Sequence, residues 1–418
     1  MSAPGPEQTS RYGRKLETIL EAAATLFNAK GLGGTTLADV AQAVGLTTTS
    51  VTYYYRRKED LAAACLMHAI GVMSAMIERA FAEKTIPAER LTRFLELYFV
   101  RLADVAEGRT PAGINFWDLR ALTGPQAEPT VAAFVALFRQ FRELFRDKAG
   151  PAFTRAEQNA RAHLVFSCVI SSKGWSTRYE TADYPRAAAR MAAVLIGGIA
   201  APGQIWAPPQ LDLTTLRSDG GEISREAFLR AGIELVNEFG YRGASVDRIS
   251  ARLDVTKGSF YHHNDTKDDL VTACFAHTFS VIRRAHRLAA PAATNGWARL
   301  CIIVAALLRY QLSNDGPLLR FSALAAAVET LRPGLLSEMA RLSEKTAGLL
   351  ADGIADGSVR PIDAVIAAEL VNGMINAAAE LAKWSPTATM ANAADLFAKP
   401  LLLGVFSPPD RIKAGGKQ

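Results

Sequence analysis

Residues 36–61 read TLADVAQAVGLTTTSVTYYYRRKEDL, and residues 245–270 read SVDRISARLDVTKGSFYHHNDTKDDL. The two stretches align without a gap at an offset of 209 residues, half the length of the 418-residue chain. Apolar positions recur at the spacing of one helical face throughout, although only five of the 26 positions are identical: Thr47/Thr256, Ser50/Ser259, Lys58/Lys267, Asp60/Asp269 and Leu61/Leu270. The shared register predicts two copies of one folding unit.

The register continues outside these stretches. Gly31 and Gly240 stand at matching positions as helix stops. Between the copies, residues 201–221 are rich in Pro and Gly and are typical of a linker, which would span roughly 65 Å if fully extended. Each half is therefore a candidate protomer of about 200 residues.

The composition favours a helical protein that is soluble in water. Apolar residues make up 49% of the chain, and Gly and Pro cluster between the apolar stretches. We see no apolar run long enough to span a bilayer and no apolar signal core, so we expect no membrane partner and a cytoplasmic location. Four cysteines in so long a chain form no disulfide framework. The net charge of +6 fits a polyanionic partner and a solvated surface equally well.

We expect an all-α protein, because no strand-like alternation persists. In the first copy the apolar pattern predicts helices over residues 14–29, 36–44, 48–54, 59–83, 88–107, 126–148, 155–179 and 184–199. In the second copy the corresponding series begins near Ser224 and ends near Leu403.

The repeated segment has the pattern of helix, tight turn, helix. Gly45 stands in the turn, where a positive φ is needed, and Thr47 stands where an N-cap belongs. In the second copy Asp254 replaces the glycine, and Asp tolerates the left-handed region better than most residues. The next helix is rich in small hydroxyls and aromatic rings that can contact bases and phosphates, and Val51 and Phe260 are the apolar residues expected to hold it in place.

The repeated segment resembles the N-terminal signature of the TetR family of bacterial transcriptional regulators, over about 50 residues of each half. That signature is a helix, a glycine, a Thr-led helix, a Gly-apolar-Ser/Thr turn, a Tyr/His-rich recognition helix and a Lys-Glu-Asp-Leu-like start to the next helix. The resemblance implies helix-turn-helix DNA-binding domains at residues 1–61 and 222–270. The other units would be helical effector-binding and dimerisation domains at residues 62–200 and 271–405, the linker at 201–221, and a tail at 406–418.

Single residues can be carried over from the family. Lys58 and Lys267 match its phosphate-contacting lysine, and Tyr261 matches its tyrosine on the DNA backbone, where the first copy has Thr52. The candidate DNA-binding residues are Thr36, Thr47, Thr48, Thr49, Ser50, Thr52, Tyr53, Tyr54, Lys58, Ser245, Thr256, Lys257, Gly258, Ser259, Tyr261, His262, His263 and Lys267.

Members of this family are normally homodimers in which the last two helices of each protomer form a four-helix interface. The resemblance implies that residues 155–199 pair with about residues 365–403 inside one monomeric chain, as an intramolecular pseudo-dimer. The recognition helices would then lie roughly 34–36 Å apart, one turn of double-stranded DNA. Because the two recognition helices differ, we expect an operator with unlike half-sites.

The two candidate heads differ in charge. Residues 11–61 hold seven basic and five acidic residues, whereas residues 222–270 hold seven basic and nine acidic ones. Phosphate neutralisation supplies most of the affinity for DNA, so we expect the first copy to be the stronger anchor. Residues 11–15, which include Arg11, Arg14 and Lys15, are either a basic arm that reaches an adjacent groove or an ordinary disordered terminus.

A Cys-x-x-His pair occurs in both copies, as Cys65/His68 and Cys274/His277. Such a pair shares one helix face and could ligate zinc, but each copy supplies only two ligands and no second pair completes a site. We therefore expect the pair to pack against the first helix, and we predict no metal site and no cofactor. Neither a phosphate-cradling Gly loop nor a nucleophile elbow occurs, so an enzyme has no support.

Aromatic residues recur at helical spacing along residues 126–148. Most such stripes belong to a core, but in a TetR-like protomer this region would also line the effector cavity. The candidate effector-binding residues are Phe94, Tyr98, Phe116, Trp117, Phe134, Phe138, Phe141 and Trp175 in the first copy, and Tyr310, Phe321 and Met374 in the second.

The favoured function is a repressor that leaves its operator when a small lipophilic or aromatic effector binds. Effector binding in either half would change the separation of the recognition helices. Two alternatives stay open: an architectural DNA-binding protein, which would lack a closed apolar cavity, and a helical ligand carrier.

Overall fold

A computed structural model of the protein describes residues 6–146, 151–216, 223–263, 266–321, 323 and 331–408. Over these residues the fold is all-α, and the sole extended pairing found there is an isolated antiparallel bridge between Ala200 and Val359. Each half consists of a three-helix head followed by a larger helical body, as the sequence predicts.

Eight helices form the first half, within the ranges that the structure describes. They are α1 Pro6–Lys30, α2 Leu37–Ala43, α3 Thr48–Tyr54, α4 Lys58–Glu83, α5 Pro87–Ala106, α6 Ala127–Arg142, α7 Arg155–Ser176 and α8 Tyr184–Gly197. We call α1 to α3 the first head and α4 to α8 the first body. Two ends differ from expectation: α1 starts earlier, at Pro6, and α6 ends earlier, at Arg142.

The second half repeats this order. Its helices are α9 Ile223–Gly243, α10 Val246–Leu253, α11 Lys257–His263, α12 Lys267–Ala292, α13 Gly296–Gln311, α14 Arg332–Ala355, α15 Ala364–Ala377, α16 Leu381–Trp384 and α17 Lys399–Leu403. We call α9 to α11 the second head and α12 to α17 the second body. A break at Gly240, with φ 71°, interrupts α9 before its last residues.

The ends of the short helices follow from residue chemistry. Helix α1 ends where Gly31 adopts φ 68°, and Thr36 caps α2 by accepting a hydrogen bond from the backbone N–H of Asp39 at 3.1 Å. The turn between α2 and α3 places Gly45 at φ 65°, and its counterpart Asp254 lies at φ 54°. Both predictions of a left-handed turn residue are confirmed.

The repeat register extends into the bodies. The 209-residue offset separates the first residues of α4 and α12, Lys58 and Lys267, and also those of α7 and α15, Arg155 and Ala364. Between these helices the 209-residue offset is lost over one loop. Helix α13 has 16 residues and ends one turn earlier than α5, which has 20. Helix α14 also starts one turn before the position that corresponds to the start of α6. The loop between these helices is therefore displaced by one turn in the second body.

Helices α7 and α8 of the first body pack on α15 and α17 of the second. The Nε2 of His163 lies 3.0 Å from the carbonyl oxygen of Ala377, and the guanidinium of Arg178 lies 2.6 Å from the carboxylate of Glu369. The helices that the resemblance pairs with each other are thus in direct contact within one chain.

The backbone that follows α8 passes close to the backbone that follows α17, and a glycine on each side makes this contact possible. Gly198, with φ 72°, follows α8, and a Cβ there would lie 2.5 Å from the carbonyl carbon of Leu403. Gly404, with φ 103°, follows α17, and a Cβ there would collide with the carbonyl oxygen of Ile196. Any larger residue at either position would push the two bodies apart.

The linker between the halves is anchored along its described part. The indole N–H of Trp206 donates to Asp395 at 2.6 Å, and the indole N–H of Trp297 donates to the carbonyl of Ile205 at 3.1 Å. Leu216 is buried. The linker up to this residue therefore runs along the second body and is not a free tether.

Two sequence-based statements need correction. Residues 11–15 are part of α1 and do not form a disordered terminus, while their contact with an adjacent groove stays a prediction. Helix Lys58–Glu83 and the helical segment Ala364–Trp384 are long and apolar enough to cross a membrane, contrary to the expectation that no such run exists. Both are weak candidates, since 44% and 56% of their apolar windows are buried and core helices of soluble proteins pass the same test.

Candidate functional site

Helix α3 of the first head presents a polar face to solvent. Thr47 caps its N-terminus, since its hydroxyl accepts a hydrogen bond of 3.2 Å from the backbone N–H of Ser50, as predicted. Val51 is fully buried beneath the helix, also as predicted. The hydroxyl of Thr52 donates to the carbonyl of Thr48 at 2.8 Å, and the side chain of Tyr53 is 79% exposed. Anchoring by one apolar residue thus leaves the opposite face of α3 free to enter a groove.

Helix α11 of the second head has the same anchor and a different outer face. Phe260 is fully buried, whereas Tyr261 is 53% exposed. Lys257 forms an ion pair of 2.5 Å with Asp247, and this carboxylate raises the pKa of the lysine. Gly258 has room for a side chain, since an added Cβ would meet no neighbour closer than 3.6 Å. Of the other candidates Thr48, Thr49 and Thr256 are exposed, Ser50 and Tyr54 are half-buried, and the side chains of Ser259, His262 and His263 lie outside the described residues.

Two hydroxyl candidates serve as helix caps. The hydroxyl of Thr36 donates to the carboxylate of Asp39 at 2.7 Å, and this bond holds the pKa of that carboxyl below its usual range. Ser245 accepts a hydrogen bond from the backbone N–H of Arg248 at 3.3 Å. Both residues fix the start of the helix that precedes the recognition helix, and their contact with DNA stays a prediction.

The two matched lysines lie at the junction of head and body. The Nζ of Lys58 donates to the carbonyl of Leu32 at 3.0 Å, and the Nζ of Lys267 lies 4.1 Å above the ring centre of Tyr241. Leu32 and Tyr241 occupy the same position of the repeat. Each ammonium therefore rests on its own head, and a bound phosphate would draw it away from that contact.

Positive charge beside the recognition helix differs between the heads. Arg56 and Arg57 follow α3 with exposed side chains, and Arg57 pairs with Asp60 at 3.0 Å. Their counterparts in the repeat are Asp265, which lies outside the described residues, and Thr266, which caps α12. The first head thus has two cations at positions where the second has none.

Sequence reasoning missed a matched asparagine at the end of the first helix of each head. The side-chain amide of Asn28 donates to the carbonyl of Gly113 at 3.0 Å and accepts from the backbone N–H of Asn115 at 2.8 Å. We call this pair of bonds the first asparagine clamp. It ties α1 to the loop between α5 and α6.

Asn237 repeats the arrangement in the second half. Its amide donates to the carbonyl of Leu318 at 2.9 Å and accepts from the backbone N–H of Arg320 at 2.9 Å. This second asparagine clamp binds the loop after α13 at residues that lie four positions before the counterparts of Gly113 and Asn115 in the repeat. The shift arises because α13 is one turn shorter than α5. The identity of Asn28 and Asn237 at the 209-residue offset was the signal that could have revealed them.

The repeated cysteines pack as predicted. The thiol of Cys65 donates to the carbonyl of Leu20 at 3.5 Å, and the thiol of Cys274 donates to that of Leu229 at 3.5 Å. Burial raises the pKa of both thiols to about 12. His68 is exposed, so the prediction that it packs against the first helix is wrong for this member of the pair.

The aromatic stripe of the first body is packed ring against ring. Phe134 lies 5.5 Å from Phe166 between ring centres, Phe138 stacks on Trp384 at 3.8 Å, and Phe141 is fully buried. The candidates in this packed region are Phe94, Tyr98, Phe116, Phe134, Phe138 and Phe141, while the side chain of Trp117 lies outside the described residues. Their contact with an effector stays a prediction.

A cavity of about 780 Å³ lies in the second half, against the first. Helices α12 to α15 and the loop after α13 form most of its wall, and α7 of the first body closes one side. Of the eleven effector-binding candidates, Trp175 and Phe321 border it, whereas Tyr310 and Met374 are buried behind its wall. Its volume lies within the range of small-molecule sites.

Three large rings of the packed first body are replaced by smaller side chains beside the cavity. Three positions that hold phenylalanine in the packed first body hold smaller residues on the wall of the cavity. These pairs, at the 209-residue offset, are Phe94/Ile303, Phe134/Ser343 and Phe166/Ile375. Each of these three replacements removes ring volume beside the cavity.

Comparison with known proteins finds a family model that matches both heads. The family model for bacterial regulatory proteins of the tetR family matches residues 19–65 and 228–274. These ranges contain both helix-turn-helix segments and also Asn28 and Asn237, the asparagines of the two clamps.

The chain is also similar to individual proteins. It is 38% identical over 78 residues to the Transposon Tn10 TetC protein of Escherichia coli, and 26% identical over 87 residues to the HTH-type transcriptional repressor KstR2 of Mycolicibacterium smegmatis. These alignments cover 19% and 21% of the chain and 39% and 42% of the two relatives' own length. A solved structure of the TetR family regulator PfmR from Thermus thermophilus aligns with 41% of this chain and 91% of its own, with 21% identity and a TM-score of 0.33.

Proposed function

We propose that this chain, whose two heads both match the family model for bacterial regulatory proteins of the tetR family, is a transcriptional repressor whose heads bind one operator together. A small molecule in the cavity would release it from DNA. The observation that carries the proposal is the presence in one chain of two helix-turn-helix heads, each with an exposed recognition-helix face on a single buried anchor.

The packing between the bodies supports a pseudo-dimer within one chain. The contact of α7 and α8 with α15 and α17 is the kind of contact that joins two separate protomers in the family. Because both heads are covalently linked, the chain would bind DNA as a monomer, in the bacterial cytoplasm where the operator lies. Linking two heads raises the effective concentration of the second once the first is bound.

The differences between the heads support an asymmetric operator. Thr52 in α3 corresponds to Tyr261 in α11, so the outer faces carry different donors and different bulk. A homodimer must recognise near-palindromes, whereas a fused pair of unlike heads has no such constraint.

Site selection from random DNA with the purified full chain tests the proposal. We expect an enriched site of two unlike half-sites, about one helical turn apart, with one chain bound in native mass spectrometry. Tyr53→Ala should abolish protection of one half-site and Tyr261→Ala protection of the other in footprinting. A perfect palindrome with equal sensitivity to both substitutions would refute asymmetry, and no enrichment at all would refute sequence-specific binding.

The cavity distinguishes the repressor from the architectural alternative. An architectural protein needs no interior space, whereas a volume of about 780 Å³ bounded by parts of both halves suits a regulatory ligand. A thermal-shift screen of small lipophilic compounds on the full chain checks this interpretation. We expect hits that also weaken DNA binding, and hits without that effect would favour a carrier.

A further inference from the structure

The cavity belongs to both halves of the chain. Ile282 and Ile303 border it from the second body, whereas Ile170, Lys173 and Trp175 border it from α7 of the first body. A ligand inside would therefore touch both bodies at once.

The charged groups of the wall are unequally balanced. Arg178 is paired with Glu369 at 2.6 Å, and Arg320 with Glu380 at 3.2 Å. Lys173 has no ion pair with any carboxylate in the part of the chain that the structure describes, and burial lowers its pKa. A half-buried ammonium without a counter-ion favours an anion beside it.

The rest of the wall is mainly apolar, apart from neutral polar groups and Arg332, which has an interaction of its own. Leu300, Phe321, Leu336 and Met339 supply hydrocarbon surface. Burial lowers the pKa of His286 to about 4, so this ring adds no charge. Cations outnumber carboxylates on this wall, and Glu380 is shared by Arg320, Arg120 and Lys383. Such a wall suits a ligand with a negative charge and an apolar remainder.

Each asparagine clamp reaches the same cavity. The ammonium of Lys173 donates to Oδ1 of Asn115 at 2.9 Å, and the backbone N–H of Asn115 is held by Asn28 of α1. On the other side Leu318 and Arg320, which Asn237 holds, form part of the wall. The loops that fix both heads are thus walls of one cavity.

We propose that this cavity binds one amphipathic carboxylate per chain, with the carboxylate on the Lys173 ammonium and the apolar part among the second-body side chains, and that its binding acts on both heads through the two asparagine clamps. The second part rests on the proposed function, because it requires heads that bind DNA. A carboxylate bound to Lys173 competes with Asn115 for the ammonium and loosens the first clamp. The apolar part displaces the loop of the second clamp.

Isothermal titration of the full chain without DNA tests the ligand class. The probes are decanoate, decanol and decylamine, which share one chain and differ in charge. We expect one decanoate per chain, weaker binding of decanol and the weakest binding of decylamine. Lys173→Met should weaken decanoate about tenfold or more and leave decanol unchanged, while Lys173→Arg restores part of the affinity. Lys84→Met, at an exposed lysine of the first body, is the matched control and should change neither.

Several results would overturn the proposal. They are two decanoates per chain, equal affinity for decanoate and decanol, no binding of any probe, or undiminished decanoate binding by a folded Lys173→Met chain. Circular dichroism of each variant establishes that it is folded.

Footprinting with and without decanoate tests the action on both heads. In the parent chain we expect decanoate to remove protection of both half-sites. Asn28→Ala and Asn237→Ala should each reduce the effect of decanoate on the protection of their own half-site. Because each clamp reaches the cavity, the decanoate affinity of each variant is measured in parallel and the footprints are compared at equal occupancy. A response confined to one half-site in the parent chain would overturn coupling to both heads. The titration contains no DNA, so the two failures can be told apart. If the parent chain binds no DNA even without decanoate, the proposed function alone is refuted. If it binds no decanoate, the cavity assignment alone is refuted.

Discussion

Phe134 in the first body and Ser343 in the second occupy the same position of the repeat, yet one fills a core and the other borders a cavity. The same contrast holds for Phe94 and Ile303. Helices α5 and α13, which carry Phe94 and Ile303, begin at corresponding residues, whereas α14, which carries Ser343, begins one turn early relative to α6. The backbone plan is thus largely shared, and the side chains at these positions differ in volume. Duplicated halves can therefore keep one fold and differ in packing, one with a filled core and the other with a cavity.

The heads show a parallel division. The first has Arg56 and Arg57 beside its recognition helix, whereas Lys257 on the recognition helix of the second is paired with Asp247 of α10. Electrostatic attraction to phosphate thus favours the first head, while the bulkier Tyr261 gives the second a different contact surface.

The largest expected effect comes from truncating the packed core. Phe94→Ala should lower the free energy of unfolding by about 3–5 kcal/mol, because Phe94 is buried and lies 5.1 Å from the Phe141 ring centre. The matched change Ile303→Ala should cost about 2 kcal/mol, since its neighbourhood is already open on one side. Urea unfolding of the full chain measures both, and equal losses would show that the two bodies are packed alike.

A smaller change in the free energy of unfolding is expected from His163, which is buried between the two bodies. Burial lowers the pKa of His163 to about 4, whereas an unfolded histidine titrates near 6.5. Between these values the unfolded chain binds a proton that the folded chain does not, so stability is full above pH 6.5 and falls as the pH drops toward 4. The loss reaches about 3 kcal/mol at pH 4.

The second half offers the matched substitution for this test. Asn372 occupies the position of His163 in the repeat. His163→Asn should therefore remove part of the acid sensitivity between pH 6.5 and 4, and His286, which titrates in the same window, should account for a further part. Unfolding measured at pH 7, 5.5 and 4.5 checks this, and an unchanged pH dependence in the variant would contradict it.

The smallest effect concerns the two matched lysines. Lys58→Ala should weaken DNA binding more than Lys267→Ala, because the first head carries the greater positive charge. Loss of one phosphate contact lowers the slope of log affinity against log salt by about 1. A salt titration of both variants on the selected site measures this, and equal losses would mean that the heads anchor equally.

The sequence predicted the heads almost to the residue. The turn residues Gly45 and Asp254 and the anchors Val51 and Phe260 lie where predicted, because caps, turns and short amphipathic helices depend on neighbours in the chain. The body helices were also predicted within a few residues at most ends, since apolar periodicity is a local signal.

The cavity was only partly predictable from the sequence. The phenylalanine stripe identified an apolar face in the first body, but periodicity does not reveal whether the facing residues fill the space. Lys173 and the two clamp residues Asn28 and Asn237 gave no local signal of a shared cavity, because their partners lie far away in the chain.

The sequence by itself determined two things about this protein: that a helical unit is present twice, and that each copy begins with a helix-turn-helix head. Both follow from short-range patterns and a register that any reader of the chain can align. The tertiary structure decided which half holds the cavity, that α7 of the other half closes it, and that both heads are tied to its walls. A cavity is the volume that several distant segments leave unfilled, and that volume is fixed only when all of them are packed together.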